Sequence, residues 1–120
     1  MKNVSTLMDK AERPIRVVQF GTGNFLRAFA DWMLEIVNEK TDWNGSVVMV
    51  KSTGYGSLSA LKGQDCVYTV ALLGLENGAP VERFCTVTCV RDVLACPAEY
   101  DRVLALAKLP ELRFVLSNTT

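Results

Sequence analysis

The sequence contains no histidine, so it lacks the side chain that enzymes most often use as a general base near neutral pH. Its longest apolar runs fall far short of the roughly 20 residues that a membrane-spanning helix needs. Residues 1–14 are polar and mixed in charge, and they lack the apolar core of a secretory signal. We therefore expect a cytoplasmic protein that does not contact a membrane.

A surplus of positive charge is also missing. The 13 Lys and Arg residues are balanced by 13 Asp and Glu residues, and no basic cluster stands out. Proteins that bind nucleic acids need a basic surface to neutralise the phosphates. The composition therefore argues against a nucleic-acid partner, while 49% hydrophobic residues is ordinary for one small globular domain.

Cysteine pairs of the C-x-x-C kind are absent as well, and zinc sites are usually built on such close pairs. The four cysteines are Cys66, Cys85, Cys89 and Cys96. Cys85 and Cys89 lie in a strand-like stretch, where four residues span about 13 Å, too far for a disulfide. We expect four reduced and mostly buried thiols.

What the sequence does contain is an alternation of strands and helices. Short apolar runs at residues 15–20, 46–51 and 112–117 are typical of strands buried on both faces. Residues 25–40 and 97–108 have helical patterns, and a short helix is predicted at residues 57–64, after a loop at residues 53–56. This order predicts an α/β, Rossmann-like fold: a mostly parallel sheet with helices on both faces.

A hairpin interrupts this alternation. Residues 67–75 and 81–94 are predicted as strands, the second of them long, and Glu76-Asn77-Gly78 between them is a typical hairpin turn. We interpret the pair as an antiparallel insertion in the parallel fold. The chain stops soon after the strand at residues 112–117, and we therefore expect a truncated domain.

The predicted helix at residues 25–40 is unusually apolar. At helical spacing, one face carries Phe25, Ala28, Phe29, Trp32 and Ile36. A polar ridge remains at Arg27, Asp31 and Glu35. A helix of this kind is usually covered on more than one side. We expect the sheet to cover one side and a missing domain another, and self-association where that cover is lacking.

The turn between the first strand and this helix carries the chemistry. It reads Gly21-Thr22-Gly23-Asn24-Phe25, and its glycines allow a tight turn and a close approach of the backbone to a pyrophosphate. The helix N-terminus then offers N–H groups to the anion. Because Leu26 replaces the third glycine of the dinucleotide-binding pattern, the prediction depends on the position of the turn in the chain.

Three further residues near this turn leave alternatives open. Arg27 is either paired with Asp31 one helical turn later or a charge partner for phosphate or substrate. Lys51 stands where an acid usually binds the adenosine ribose, so it either suits the extra phosphate of NADP or is a solvated strand end. Asn118 is either part of a polar turn or part of a site at the carboxyl end of the last strand.

Three segments resemble the mannitol dehydrogenase family, in the order that the family has them. The first is QFGTGNFLRAF at residues 19–29, the second combines Gln64-Asp65 with Tyr68-Thr69, and the third is LRFVLSNTT at residues 112–120. The STGYG at residues 52–56 points the same way. The resemblance covers residues 15–120 and is strongest to the family's hexuronate enzymes.

The resemblance implies an incomplete Rossmann-type NAD-binding domain at residues 15–120, after an N-terminal extension at residues 1–14. It implies NAD-linked interconversion of a keto sugar acid, tagaturonate, and its alcohol, altronate, in hexuronate breakdown. Gly21, Gly23, Asn24 and Phe25 would form the pyrophosphate turn, and Asn118 would lie beside the nicotinamide. The family's catalytic Lys, Asn and His belong to a C-terminal helical domain absent from this sequence, so we expect these 120 residues alone to be inactive.

The family's mannitol enzymes carry an acid after the second strand, and this chain has Lys51-Ser52 there instead, which leaves the choice between NAD and NADP open. Two other functions fit the same residues. One is a non-catalytic α/β module that binds a nucleotide with this turn. The other is a structural domain in which G-x-G is only a turn.

Overall fold

The computed structural model of the chain describes residues 12–52 and 59–118. In chain order its elements are β1 (Ile15–Phe20), α1 (Asn24–Ala28), α2 (Ala30–Lys40), β2 (Ser46–Lys51), α3 (Ser59–Gly63), β3 (Tyr68–Glu76), β4 (Ala79–Val87), β5 (Val90–Ala95), α4 (Tyr100–Leu106) and β6 (Phe114–Ser117). The predicted loop at residues 53–56, the first two residues of the predicted helix at residues 57–64, and residues 1–11 and 119–120 lie outside this description.

Four strands form a parallel sheet in the order β5-β2-β1-β6. The strands at residues 15–20 and 46–51 are confirmed at the predicted bounds. The strand order reverses at β1: the next strands along the chain lie on one side of it, and β6 lies on the other. This is the first half of a doubly wound sheet, and it confirms the predicted Rossmann-like α/β fold.

The sheet separates two apolar cores, because successive strand residues point to opposite faces. One core contains Val17, Val47 and Met49, and α2 and the β3–β4 hairpin cover it. The other contains Val18, Val48, Val50 and Leu106, and α4 covers it. Helices therefore lie on both faces, as the alternating pattern predicts.

The antiparallel hairpin is confirmed. Strands β3 and β4 pair from Tyr68 opposite Val87 to Glu76 opposite Ala79, and they form a separate two-stranded sheet. Asn77 and Gly78 between them have φ angles of 52° and 78°. Two consecutive positive φ angles are what a two-residue hairpin turn with the right twist requires.

The prediction of a single strand at residues 81–94 is wrong. Strand β4 ends before Thr88 and Cys89, and the chain then enters the other sheet as β5. The Glu35 carboxylate accepts hydrogen bonds from the Thr88 backbone N–H at 2.9 Å and from its hydroxyl at 2.8 Å. The Cys89 carbonyl then accepts from the Val47 N–H at 2.9 Å, which starts β5 in the parallel sheet. A carboxylate on α2 thus takes the place of a strand partner.

The single helix predicted at residues 25–40 is also wrong. The backbone leaves helical geometry at Phe29, with φ −115° and ψ −77°, and this residue separates α1 from α2. In an unbroken helix the Arg27 carbonyl would accept from the Asp31 N–H. Here it accepts from the Tyr68 hydroxyl at 2.8 Å, so a side chain of β3 satisfies the carbonyl at the break.

The most deeply buried side chains of α2 are polar. Asp31, Glu35 and Asn38 are 0%, 6% and 8% exposed, and Asn38 exchanges two 2.8 Å hydrogen bonds with the backbone of Gly45. Buried polar groups of this kind are tolerated where they have partners. The predicted polar ridge, Arg27 excepted, therefore packs inward at Asp31 and Glu35.

The apolar face of the helices is only partly covered. Trp32 packs against the first core, which confirms the expected cover by the sheet side. The uncovered part, which we call the apolar stripe, consists of Phe25, Phe29 and Met33. These side chains are 61%, 49% and 42% exposed. The Phe25 and Phe29 rings stack on each other at a centroid distance of 5.3 Å. Among the described residues nothing buries this stripe.

Two predicted elements are shorter than expected. The helix predicted at residues 97–108 is α4, which begins at Tyr100 after a turn closed by the Glu99 N–H on the Ala95 carbonyl at 2.7 Å. The strand predicted at residues 112–117 begins at Phe114.

The cysteine prediction is confirmed in its main point. All four cysteines lie in the described ranges, and none is joined in a disulfide; Cys66 and Cys89 are buried and the other two half-buried. Residues 12–52 and 59–118 hold no cluster of three His, Cys, Asp or Glu side chains suited to a metal ion. Nor does any helix in these ranges combine the length and apolarity needed to cross a bilayer.

Candidate functional site

The carboxyl ends of three strands meet at Gly21. The Gly21 N–H donates to the Val50 carbonyl of β2 at 3.0 Å, and the Asn118 N–H after β6 donates to the Phe20 carbonyl of β1 at 3.1 Å. In open α/β sheets ligands bind outside the carboxyl ends of the strands, where the strand order reverses. The predicted turn and Asn118 are therefore brought together at the expected position.

Glycine is required at position 21 on two grounds. Its φ is +127°, a conformation that other residues rarely adopt, and a Cβ there would lie 3.0 Å from the Asn118 carbonyl oxygen. It would also lie 3.4 Å from Cδ1 of Leu26. Leu26, which stands in place of the pattern's third glycine, is 7% exposed and packs its side chain beneath the turn.

Gly23 faces open space. It caps the N-terminus of α1 with an extended backbone, φ −73° and ψ 168°, no side chain caps the helix there, and a Cβ added to it would have no atom within 4 Å. Thr22 before it is half-buried, and Asn24 and Phe25 after it are exposed. The backbone of Gly23 and Asn24 is therefore open to a ligand as large as a pyrophosphate.

A cleft of about 280 Å³ opens beside the turn, between α1 and β3. Its lining includes Asn24, Arg27, Tyr68 and Thr69, and the Arg27 guanidinium lies 5.9 Å from the centre of the Tyr68 ring. The Nε of Arg27 is buried and has no hydrogen-bond partner. A second cleft, of about 210 Å³, opens at the amino ends of β2 and β5, the opposite end of the sheet.

A buried polar cluster beneath the turn is the part of the site that the sequence analysis missed. Gln19 and Asp31 are both fully buried, and Gln19 Nε2 donates to the Gly21 carbonyl at 3.0 Å. The Tyr68 hydroxyl lies 3.4 Å from Asp31 Oδ2. Gln19 in an otherwise apolar strand could have indicated this cluster, since a buried amide side chain normally needs hydrogen-bond partners.

Asp31 has the most perturbed carboxyl group of the site. Burial raises its pKa from 3.8 to about 7, and hydrogen bonds from Gln19 and Tyr68 and the charge of Arg27 offset part of that rise. Burial, with the Asp31 charge adding to it, also raises the pKa of Tyr68, whose hydroxyl stays protonated.

Lys51 ends β2, and β1 lies between this strand and β6, which Asn118 follows. It is half-buried, opposite Ala95 in the register with β5, and its carbonyl accepts from the Cys96 N–H at 2.9 Å. Ser52 after it is exposed. No acid stands at these two described positions, so the usual ribose-binding carboxylate is not supplied there.

Comparison with known proteins gives one family. Residues 15–120 match the Rossmann domain of mannitol dehydrogenase. An altronate oxidoreductase of Phocaeicola vulgatus is 46% identical over 111 residues, and altronate oxidoreductases of Bacteroides thetaiotaomicron and Escherichia coli are 44% identical over 111 residues. These alignments cover 92% of this chain and 23% of each relative, so the chain spans about a quarter of their length.

Two solved structures have the same fold. A D-sorbitol dehydrogenase in substrate-free form superposes with a TM-score of 0.66 at 29% identity, over 87% of this chain and 22% of the other. The Pseudomonas fluorescens mannitol 2-dehydrogenase, solved as a ternary complex with NAD and D-mannitol, superposes with a TM-score of 0.68 at 20% identity, over 89% and 22%. The second likeness is one of fold alone.

Proposed function

Because the chain belongs to the mannitol dehydrogenase family, we propose that residues 15–120 form the NAD-binding domain of a longer oxidoreductase. The observation that carries the proposal is the pair of glycines at the point where the strand order reverses. Gly21 permits a turn that lies against Asn118, and Gly23 leaves the space above the turn open. This pair of glycines suits a dinucleotide, since nothing in the described structure requires a glycine at position 23.

Each predicted residue has a place in this proposal. The pyrophosphate lies on the backbone of Gly21, Thr22, Gly23 and Asn24, close to Phe25, where the N–H groups of the first helical turn point outward. Asn118 at the end of β6 lies on the nicotinamide side of the turn. NAD supplies the carbon that accepts or donates a hydride, and these residues hold and orient it.

The substrate class follows from the relatives rather than from the geometry. Relatives named altronate oxidoreductase support tagaturonate and altronate as the keto acid and alcohol that are interconverted. Since this chain matches 23% of their length, we propose that the remaining length of such an enzyme supplies the catalytic side chains. The 120 residues alone are then expected to bind cofactor and to be inactive.

Arg27 is the residue of this chain that we propose for contact with the sugar acid. It lines the cleft beside the turn, and its Nε has no partner in the described structure. A guanidinium binds a carboxylate with two parallel hydrogen bonds, and a sugar acid carries such a group.

Calorimetric titration of the 120-residue protein with NADH and with NADPH tests the proposal. We expect saturable NADH binding, weakened at least tenfold by Gly23→Val, whose side chain fills the space for the pyrophosphate. Gly23→Ala, whose methyl group meets no protein atom within 4 Å, should leave the fold unaffected and weaken NADH binding less than Gly23→Val does.

The other outcomes each have a meaning. A preference for NADPH would assign the extra phosphate to Lys51, to be checked with Lys51→Met. Equal binding of AMP and NADH would favour the non-catalytic nucleotide-binding module. Absence of binding by a folded protein, or NADH binding that Gly23→Val leaves unchanged, would contradict a cofactor site at this turn.

A further inference from the structure

The buried cluster is connected to the turn through one side chain. Gln19 Nε2 donates to the Gly21 carbonyl at 3.0 Å, and the same side chain is close enough to the Asp31 carboxyl to lower its pKa. Gly21 in turn lies against Asn118. A movement of the Gln19 amide would therefore shift the Gly21 backbone, which we propose as part of the cofactor-binding turn.

The cluster is short of hydrogen-bond donors. Asp31 Oδ1 and Gln19 Oε1 are buried acceptors without a partner. The Tyr68 hydroxyl has a single proton, and its 2.8 Å contact with the Arg27 carbonyl is much shorter than its 3.4 Å contact with Asp31 Oδ2. A proton on Asp31 converts one acceptor into a donor, and leaving both acceptors unsatisfied is costly.

Burial brings the pKa of the Asp31 carboxyl close to neutral pH, so this group can change its charge there. Titratable side chains face it from α1 (Arg27), β3 (Tyr68) and the junction of β4 and β5 (Cys89), while Glu35 on α2 acts on Cys89. Burial raises the pKa of both Tyr68 and Cys89, so these two stay protonated. The Glu35 carboxylate accepts two hydrogen bonds from Thr88.

We propose that Gln19 and Asp31 are positioning residues for the cofactor turn, and that the turn binds a dinucleotide best when Asp31 carries a proton. The proposal rests on the function proposed above. With Asp31 neutral, the Gln19 amide donor stays on the Gly21 carbonyl. With Asp31 ionised, the carboxylate competes for that donor and places a negative charge behind the pyrophosphate.

Calorimetry with NADH at pH 6.5, 7.5 and 8.5, in pairs of buffers with different ionisation enthalpies, measures both the affinity and the protons taken up. For the unaltered chain we expect proton uptake on binding and a Kd that rises about tenfold across this range, the change that a one-unit coupling produces. Asp31→Asn keeps a neutral group with a donor, so it should bind equally well at every pH, without proton uptake.

Two further variants separate positioning from general stability. Gln19→Met removes the amide and should weaken NADH binding at every pH. Glu39→Gln, an exposed carboxylate on the same helix, should keep the pH dependence of the unaltered chain. Saturable binding without proton uptake, or pH dependence that survives in Asp31→Asn, would overturn the inference and leave the cofactor site standing. Failure of the unaltered chain to bind NADH at any pH would overturn both.

Discussion

At the scale of single residues, Gly21 and Leu26 show how a fingerprint can be incomplete and still form the turn. Gly21 has a backbone that other residues avoid and a neighbour 3.0 Å from where a Cβ would stand. The Leu26 side chain fills the space beneath Gly21. In the usual pattern a third glycine at this position lets the helix pack closely on the strand. The turn is thus fixed by one glycine and one buried leucine, while Gly23 is left for the ligand.

Asp31 gives a prediction of how stability depends on pH. Its pKa is about 7 in the folded chain and near 3.8 in the unfolded chain, so the folded state binds more protons between these values. The contribution of Asp31 to the free energy of unfolding should therefore be highest below about pH 4. It should fall as the pH rises towards 7. Asp31→Asn removes this loss and should stabilise the chain at pH 8 by about 1–3 kcal/mol.

Urea denaturation at pH 5 and pH 8 measures the effect. The gain of Asp31→Asn over the unaltered chain should be larger at pH 8 than at pH 5. A gain of the same size at both pH values would mean that Asp31 does not titrate in this range.

At the scale of elements, one carboxylate determines where the hairpin ends and the parallel sheet resumes. Glu35 is 6% exposed and accepts both the N–H and the hydroxyl of Thr88. Glu35→Ala leaves the N–H and the hydroxyl of half-buried Thr88 without their charged partner, so we expect a loss of about 2–3 kcal/mol in the free energy of unfolding. Glu39→Ala, on the exposed side of the same helix, should change it by less than about 0.5 kcal/mol.

Both losses can be measured by urea denaturation at pH 7. If Glu35→Ala cost no more than Glu39→Ala, the break at Thr88 would have another cause.

The elements that the sequence predicted are those fixed by neighbours along the chain. Strands β1 and β2 are short apolar runs, and Asn77-Gly78 specifies its own turn, so all three were confirmed. The two breaks depend on contacts between distant residues, Tyr68 with Arg27 and Glu35 with Thr88, and no periodicity records them. For the same reason the turn of the candidate site was predicted, whereas the Asp31 cluster beneath it was not.

At the scale of the whole molecule, exposed large apolar side chains occur in four places among the described residues. The apolar stripe on α1 and α2 is one, and Tyr100 and Leu104 on α4 are another. The hairpin exposes Leu73, Leu75 and Phe84, and the edge strand β6 exposes Phe114 and Val115. Strands of parallel sheets are normally covered on both faces. Relatives about four times as long have more chain with which to cover such surfaces, which fits the proposal of a longer enzyme.

Self-association of the 120-residue chain should therefore depend on the apolar stripe. Its three side chains are spaced four residues apart, all three are exposed, and the Phe25 and Phe29 rings are stacked. Contiguous apolar patches of this kind promote association. We expect Phe29→Ser with Met33→Ser to shift the chain towards a monomer in light scattering at high concentration, without loss of helix content.

Leu73→Ser with Leu75→Ser is the matched control, because it removes two side chains that are each 75% exposed from the hairpin instead. It should leave the association unchanged, since those residues lie near the turn of the hairpin and not on α1 or α2. Loss of association in the hairpin variant alone would move the contact surface to β3 and β4. A monomeric unaltered chain would mean that the stripe is tolerated in water, because stacking of Phe25 on Phe29 already removes enough of its surface.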